Sequence, residues 1–318
     1  MKKRLRSVLA LLAVLWTFFP LHASGLPGYA PKNTGIIVFA DLKRLSDSRL
    51  VRKIFSENPE LREIRDGIDQ EIREQFNAEP EELFDSEVCA FIDVIAPDDI
   101  GCQIFFVNHS GCAKKIFDFA AAAGRNSGNP AFSVGKTGDV PFVRNEKWIL
   151  LQTDPRTLQF SFSGNDPARF VPLTKTASLL AGEIDTGALL GIAVDLAKVP
   201  VPDDLQQDEN FKEMLCGLVK VTFHFTEKDD TLVFRTVAVY RDEKSAAKAK
   251  AAADRLNEAV QKTLSGSAGE NDRLPSQLQK LTVSDTTTLD GARLTGTSVI
   301  DRDLAIGFIR ALFVKKAE

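Results

Sequence analysis

Short apolar strands that end on the dipeptide Asp-Leu occur twice in this chain. Residues 36–45 read IIVFADLKRL, and residues 190–199 read LGIAVDLAKV. In both halves the strand is followed by a polar helical stretch, a hairpin, a helix and further strands. Because the same order of elements recurs in two halves, the pattern predicts an internal duplication.

The hairpins are predicted from apolar runs that flank turn residues. The first connects Val88–Ile95 to Cys102–Val107, and the second connects Val219–Phe225 to Leu232–Tyr240. In the first strand of the second hairpin, apolar residues alternate strictly with polar ones. Such alternation is typical of a strand with one buried and one solvated face, so we expect His224 to lie on the solvated side.

Helices are predicted where apolar residues recur at helical spacing. In the first half, Ser46-Asp47-Ser48 offers N-caps for a helix over Leu50–Ser56, and Pro59 suits the first turn of a helix that ends at Phe76. The hairpins are each followed by a helix, Cys112–Gly124 and Lys244–Leu264. The further strands are predicted at Phe132–Val134, Trp148–Gln152, Leu281–Ser284 and Ala292–Val299.

The order strand, helix, two strands, helix, strand predicts the fold class. It is the order of a split βαβ unit, so we expect an α+β protein with two tandem ferredoxin-like (βαββαβ-type) halves, whose antiparallel sheets are covered by helices. The predicted segments are a signal peptide at 1–23, a linker at 24–34, a first half at 35–164, a connecting segment at 165–186 and a second half at 187–318.

The first half also carries a family resemblance. Its strand ending in Asp-Leu and its long helix are followed by NAEPEELFDS, residues 77–86, which leads into the next strand. This succession resembles a group of uncharacterised exported bacterial proteins with duplicated ferredoxin-like modules. The resemblance extends from Thr34 to the C-terminus, and it implies a fold but no activity and no site residues.

The N-terminus has the pattern of a secretory signal. A basic cluster, KKRLR, precedes an apolar run from Val8 to Leu21, and small residues follow it. The run is shorter than the roughly 20 residues that a membrane helix requires. We therefore expect cleavage after Ala23, an extracytoplasmic location in the periplasm or medium, and no stable membrane span afterwards; an uncleaved anchor is the alternative.

The charge balance bears on possible partners. Loss of the signal peptide removes four of the 40 basic residues and leaves 36 against 44 acidic ones, a formal charge of −8. Nucleic acids attract basic surfaces, so the balance excludes them as partners. An apolar fraction of 44% is enough for packed cores.

The four cysteines leave two alternatives open. Export permits disulfides, but the spacings match neither a compact disulfide framework nor a zinc site. Buried free thiols are therefore the alternative to a structural disulfide. The cysteines are Cys89, Cys102, Cys112 and Cys216.

Candidate catalytic residues are few. Of the two histidines beyond the signal peptide, His109 lies in a strand-to-helix connection where turn or cap duty is expected, and the sequence Asn108-His109-Ser110 is formally a glycosylation sequon. Asp41 and Asp195 hold matched positions in the two halves, and we expect each to cap the segment that follows. No catalytic, cofactor-binding or metal-binding residue is predicted.

Two further motifs resemble known sites without their context. Gly135-Lys136-Thr137 resembles the end of a phosphate-binding loop, but the glycine that such a loop requires is replaced by Pro130, so a turn between strands is expected. The overlapping motif Lys136-Thr137-Gly138, with Ser127-Gly128-Asn129 and Ser245-Ala246-Ala247-Lys248, resembles the motifs of penicillin-recognising serine enzymes, but in the wrong order. We expect the last motif to open an alanine-rich helix.

The expected function is therefore non-enzymatic. We expect an extracytoplasmic protein without a cofactor that binds or scaffolds another envelope protein or polymer. The alternatives are a hydrolase of unrecognised type and a small-molecule carrier with a pocket between the halves. The apolar segment Asp303–Val314 is expected to pack in the core.

Overall fold

The computed structural model divides into two compact units, with the division between Gly191 and Ile192. Unit 1 precedes this point and unit 2 follows it. The described residues are 26–96, 99–129, 131–163, 180–199, 209–228, 231–266 and 286–300. The predicted strand Leu281–Ser284 and the apolar segment Asp303–Val314 lie outside them, as does the signal peptide.

Unit 1 combines helices with one antiparallel sheet. Its strands are β1 (Ile36–Asp41), β2 (Ser86–Ala96), β3 (Asp99–Asn108), β4 (Ser133–Thr137), β5 (Val140–Arg144), β6 (Trp148–Asp154) and β7 (Thr157–Ser163). Its helices are α1 (Leu42–Asp47), α2 (Arg49–Glu57), α3 (Pro59–Phe76), α4 (Pro80–Phe84) and α5 (Cys112–Asn126).

Side-chain caps define where these helices begin. The carboxylate of Asp41 accepts a 2.8 Å hydrogen bond from the N–H of Arg44, which caps α1 as predicted. The hydroxyl of Ser48 accepts from the N–H of Val51 at 3.0 Å and caps α2. Each of these bonds satisfies a helix N–H that has no partner within the helix.

The sheet of unit 1 has the order β1-β2-β3-β7-β6-β5-β4, with every pair antiparallel. One of its faces is buried over its central strands: Phe39, Phe91 and Leu151 are each at most 1% exposed. On this face the ring of Tyr29 stacks on Phe105 with 5.3 Å between centroids. The segment that precedes β1 therefore covers the sheet on this side.

The opposite face carries α5. Its residues Ile116, Phe117 and Ala121 form one buried cluster with Val143, Leu150 and Leu158 of the sheet and with Ile72 and Phe76 of α3. Burial of such large side chains contributes about 1.5–3 kcal/mol each. This cluster is the main core on the helical side of unit 1.

Unit 2 contains β8 (Leu190–Asp195), which begins at the division, β9 (Leu218–Lys228), β10 (Thr231–Tyr240), β11 (Thr286–Asp290) and β12 (Arg293–Ile300). Its strand order is β8-β9-β10-β12-β11. Its helices are α6 (Glu209–Leu215) and α7 (Glu243–Gly266), and Ala246 and Ala249 of α7 pack on Ala238, Tyr240 and Leu294. Among the described residues, no helix is long and apolar enough to cross a membrane.

The mixed α+β fold with helices on antiparallel sheets agrees with the prediction, but the ferredoxin-like arrangement is not confirmed. In a split βαβ unit, the first helix joins two parallel strands that have a third strand between them. Here β1 pairs directly and antiparallel with β2, with Ile36 opposite Ile92. The helices between β1 and β2 therefore return the chain to a neighbouring strand instead of crossing over one.

The predicted helices at 50–56, 59–76, 112–124 and 244–264 are confirmed within two or three residues. The expectation of a solvated His224 is wrong. His224 is only 5% exposed, and its neighbour on the same side of β9, Thr222, is 2% exposed. Alternation separates the two faces of a strand, but it does not reveal that the polar face is also covered.

The cysteines are free thiols. Cys89, Cys102 and Cys112 are buried, whereas Cys216 is exposed. Burial raises the pKa of Cys102 to about 12 and that of Cys112 to about 11. These two thiols are therefore protonated at neutral pH and behave as small apolar side chains.

Asn108 joins four segments of unit 1 and is fully buried. Its side-chain amide donates to the carbonyl oxygen of Glu82 in α4 at 2.6 Å and to the hydroxyl of Ser86 in β2 at 2.8 Å. Its side-chain oxygen accepts from the N–H of Cys112 in the first turn of α5. The nitrogen that glycosylation would modify is thus buried and hydrogen-bonded.

We expect Asn108→Ala to lower the free energy of unfolding by about 3 kcal/mol, because it leaves several buried polar groups without partners. Urea denaturation of both proteins measures this difference. A matched control is Asn145→Ala, which removes an acceptor for the N–H groups of Lys147 and Trp148 in a surface turn. The control should lose about 1 kcal/mol; equal losses would show that Asn108 is an ordinary turn residue.

Candidate functional site

Polar side chains meet at one end of the unit 1 sheet, where β1 and β3 end and β2 begins. The carboxylate of Asp85 accepts from the ammonium of Lys43 at 2.8 Å and from the hydroxyl of Ser110 at 2.6 Å. His109 Nε2 lies 3.6 Å from a carboxylate oxygen of Glu87. We call these five residues and Asp41 the strand-end cluster.

The strand-end cluster does not form a nucleophile–base pair. A serine nucleophile needs a base that accepts its proton, and the base in turn needs an orienting acceptor. Here the hydroxyl of Ser110 donates to Asp85, while His109 faces a different carboxylate, that of Glu87. The main-chain N–H of His109 also donates to the carbonyl oxygen of Asp85 at 2.8 Å, which is the turn role that the sequence predicted.

The other candidate positions also have structural roles. The carboxylate of Asp195 accepts from the N–H of Ala197 at 3.1 Å, so it caps the turn after β8. Ser245 lies in the first turn of α7, where its N–H donates to the carboxylate of Asp242 at 2.7 Å. Gly138 has a φ of +59° in the turn between β4 and β5. Ser245-Ala246-Ala247-Lys248 therefore opens a helix, as expected. Gly135-Lys136-Thr137 lies within strand β4, so the expectation of a turn at these residues is wrong: the turn begins after Thr137.

No group of metal-ligating side chains comes together in the part of the chain that the structure describes. Among the acidic residues, Asp69 has a pKa that is raised by burial. It lines a narrow groove of about 40 Å³ with Phe55, Ile64 and Ile68. Since a water molecule needs about 10–15 Å³ by the same measure, the groove holds a few waters and no organic ligand.

An apolar surface lies at the other end of the unit 1 sheet, on the face that carries α5. Neighbouring strands place apolar side chains in one row, because Cys102 is opposite both Ile92 and Phe162, and Phe162 is opposite Trp148. We call this surface the apolar shelf. Its residues are Ile36, Ile92, Ile100, Cys102, Trp148 and Phe162.

The helices of unit 1 leave the apolar shelf partly uncovered. Ile100 is 44% exposed and Phe162 is 39% exposed, which makes them two of the three exposed large apolar side chains among the described residues. Trp148 is half-buried and packs against Phe132 and Phe160, with ring centroids 5.9 and 5.7 Å apart. Cys102, which stands between Ile92 and Phe162 in the row, is buried, so the exposed part of the shelf is centred on Ile100 and Phe162. Exposed apolar side chains on neighbouring strands are typical of an interaction site.

Unit 2 has a comparable aromatic surface on its long hairpin. The rings of Phe223 and Phe234 stack with 5.8 Å between centroids, and Phe225 lies 4.7 Å from Phe234. These rings share a face with Ala238, on which α7 packs. In each unit, therefore, a helix packs on one part of a hairpin face whose other part is apolar.

A shallow cleft of about 320 Å³ lies where α5 ends. Gly124, Arg125 and the loop 127–129 form one side, and Phe132 and Val134 form the other. Gly124 lets α5 approach β4 closely, since a Cβ atom at this position would come within 3.2 Å of a methyl group of Val134. The cleft lies next to the apolar shelf, because Phe132 packs edge-on against Trp148.

The sequence did not predict the shelf or the cleft. The apolar alternation of β2 and β3 was visible, but an alternating strand does not show how far the covering helix extends. β5 and β7 were missed, and β7 supplies the most exposed aromatic side chain of the shelf. The run TLQFSFS, residues 157–163, alternates and was the available signal.

We expect Lys43→Met to raise the pKa of Asp85 towards its ordinary value, because the Lys43 ammonium is the main cause of its depression and the Ser110 hydroxyl is the second. A depressed carboxyl pKa stabilises the fold above the ordinary carboxyl range, and this contribution is lost as the pH falls through the folded-state pKa. An NMR titration of the Asp85 carboxyl carbon measures the shift.

The control for this titration is Lys114→Met, which removes the ion pair with Asp118 on the exposed side of α5. It should leave the pKa of Asp85 unchanged. If both variants leave it unchanged, Lys43 does not pair with Asp85 in solution.

No protein-family model and no curated protein matches the chain. Among solved structures, crystal form III of TP0453 is similar with a TM-score of 0.44 and 10% identity, over 89% of this chain and 97% of that chain. Crystal form IV has a TM-score of 0.44 and 10% identity over 90% and 99%. Crystal form I has a TM-score of 0.41 and 10% identity over 90% and 96%.

Proposed function

We propose that this chain is a non-enzymatic extracytoplasmic protein that binds or scaffolds another envelope protein through the apolar shelf. The observation that carries the proposal is the exposure of Ile100 and Phe162 on two adjacent strands, β3 and β7. Isolated exposed apolar residues are common, but Ile100 and Phe162 belong to one apolar row that crosses the sheet, and such a grouping favours an interaction site.

The shelf favours an amphipathic helix as its occupant. It belongs to the same sheet face on which α5 packs, and the two surfaces join at Phe160 and Trp148. A helix with an apolar stripe is the element that covers one face of a sheet in this unit already. We therefore assign the partner as an exported protein that presents such a helix.

The sequence supports the location. The basic cluster, the short apolar run and the small residues around Ala23 have the order of a secretory signal. The acidic balance of the chain after residue 23 favours a soluble surface outside the shelf. The predicted partner therefore meets this protein beyond the cytoplasmic membrane.

We also propose that the two units arose as copies of one module. In both, a strand that ends on Asp is followed by helix, a long hairpin, a helix and a final hairpin or meander. In both, the last strand that the structure describes pairs with the second strand of the long hairpin, β7 with β3 and β12 with β10. This shared topology supports a duplication of a module that differs from the ferredoxin-like order.

The alternatives find less support. The strand-end cluster lacks the serine–histidine contact that a hydrolase of this type requires. The cleft at the end of α5 is shallow and lies beside the outermost strand, whereas a carrier encloses most of its ligand.

The test is site-specific photo-crosslinking in intact cells that produce the full chain. A photoreactive phenylalanine analogue at Phe162 or at Ile100 should give one and the same covalent adduct with another envelope protein, identified by mass spectrometry. Substitution Phe162→Asp should abolish the adduct from position 100, because a buried unpaired carboxylate opposes docking.

The matched control is the analogue at Leu289 of β11, which is 38% exposed and lies in unit 2. It should not give that adduct. The proposal fails if the shelf positions give no adduct, or if positions 162, 100 and 289 give the same set of adducts.

A further inference from the structure

The outermost strand of unit 1 has an open edge. Among the strands that the structure describes, β4 pairs with β5 alone. An edge strand presents N–H and C=O groups that have no partner in the sheet, and these groups are a template for another strand.

The register shows which groups face outwards. Alternate residues of an antiparallel strand direct their N–H and C=O groups to opposite sides. Lys136 stands opposite Pro141, which has no N–H to donate. Every hydrogen bond between β4 and β5 is kept when the main-chain groups of Ser133, Gly135 and Thr137 bond to β5. The N–H and C=O groups of Val134 and Lys136 then face the open edge.

The cleft at the end of α5 adjoins this edge. Phe132 and Val134 line it from the side of β4, and the remaining lining comes from the C-terminal end of α5 and the loop 127–129. No residue of β5, β6 or β7 lines it. A strand added to β4 would therefore direct alternate side chains into the cleft, whose volume of about 320 Å³ accommodates a large apolar side chain.

Hydrogen bonds hold the loop beside the cleft in one conformation. The hydroxyl of Ser127 donates to the carbonyl oxygen of Gly124 at 2.8 Å and accepts from the N–H of Asn129 at 3.1 Å. The side-chain oxygen of Asn129 accepts from the N–H of Ala131 at 3.0 Å. A preformed loop reduces the entropic cost of binding.

The edge is locally basic in an acidic chain. Residues 125–138, which include the end of α5, the loop and β4, contain two basic side chains and no acidic one, whereas the whole chain has a net charge of −4. Arg125 and Lys136 are exposed and form no ion pair among the described residues. This charge favours an acidic partner segment.

We propose that the β4 edge binds an extended, acidic segment of a partner protein, which adds a strand to the sheet and places one large apolar side chain in the cleft. This mode of recognition takes its affinity from main-chain hydrogen bonds and its specificity from alternate side chains. The site goes beyond the proposed function, since it does not use the apolar shelf.

A lysine on an edge strand is also a common device against aggregation. That role accounts for Lys136, but it does not account for a cleft or for a rigid loop beside the edge. The combination of open edge, cleft and unpaired cations favours a binding site over a protected edge.

The test uses the full chain and a phage-displayed library of random peptides as the probe. Selection should enrich acidic peptides that contain a large apolar residue and no proline. Addition of an enriched peptide should slow hydrogen exchange at the amides of Val134 and Lys136. The double variant Arg125→Glu/Lys136→Glu should weaken its binding by about tenfold or more, because both charges reverse.

The matched control is Lys147→Glu, an exposed basic residue in the turn between β5 and β6. It should bind the peptide as the natural protein does. The proposal is overturned if no acidic peptides are enriched, if exchange slows elsewhere, or if both charge variants bind equally. It is also overturned if the β4 amides become protected with protein concentration alone, which would identify a second copy as the occupant.

Discussion

The architecture of unit 1 depends on the buried amide of Asn108. It ends β3, fixes the start of β2 through Ser86 and holds α4 through the carbonyl oxygen of Glu82. It also accepts from the first turn of α5, so the direction in which that helix leaves the sheet is set at this point. A buried side-chain network with all its partners satisfied specifies one arrangement more strongly than apolar packing alone.

The direction of α5 determines which parts of the sheet face remain open. The helix starts beside the end of β3 and reaches β4 at Gly124, so it crosses the sheet obliquely. Beyond it on one side lies the apolar shelf with Phe162, and at its C-terminal end lies the cleft beside the β4 edge. Both candidate surfaces therefore follow from the position of one helix.

Much of the secondary structure was predictable because its signals are local. Ser48 and Pro59 mark helix starts, and the alternating runs of the long hairpins mark strands. Strand order was not predictable in this way, because pairing β1 with β2 depends on contacts distant in sequence. The burial of His224 and the hydrogen bonds by which Asn108 joins α4, β2 and α5 were not predicted for the same reason, because each depends on the segments that pack against the residue.

A binding role was predictable from the sequence, but the position of the surfaces proposed for it was not. The absence of a nucleophile–base pair in the sequence pointed to binding, but exposure of Phe162 depends on where α5 ends its coverage. Asp41 and Asp195, by contrast, were predictable from the sequence, because an aspartate at a strand end predicts a cap. Asp41 caps the helix that follows it, and Asp195 caps the turn that follows it.

The proposed binding role of the apolar shelf requires that the shelf is open in the isolated protein and covered by its partner in the envelope. Hydroxyl-radical footprinting of the purified chain and of intact cells measures the solvent access of Phe162 and Trp148 directly. We expect strong oxidation of Phe162 in the purified protein and marked protection in cells, with Leu289 oxidised equally in both. Equal oxidation of Phe162 in both states would contradict it.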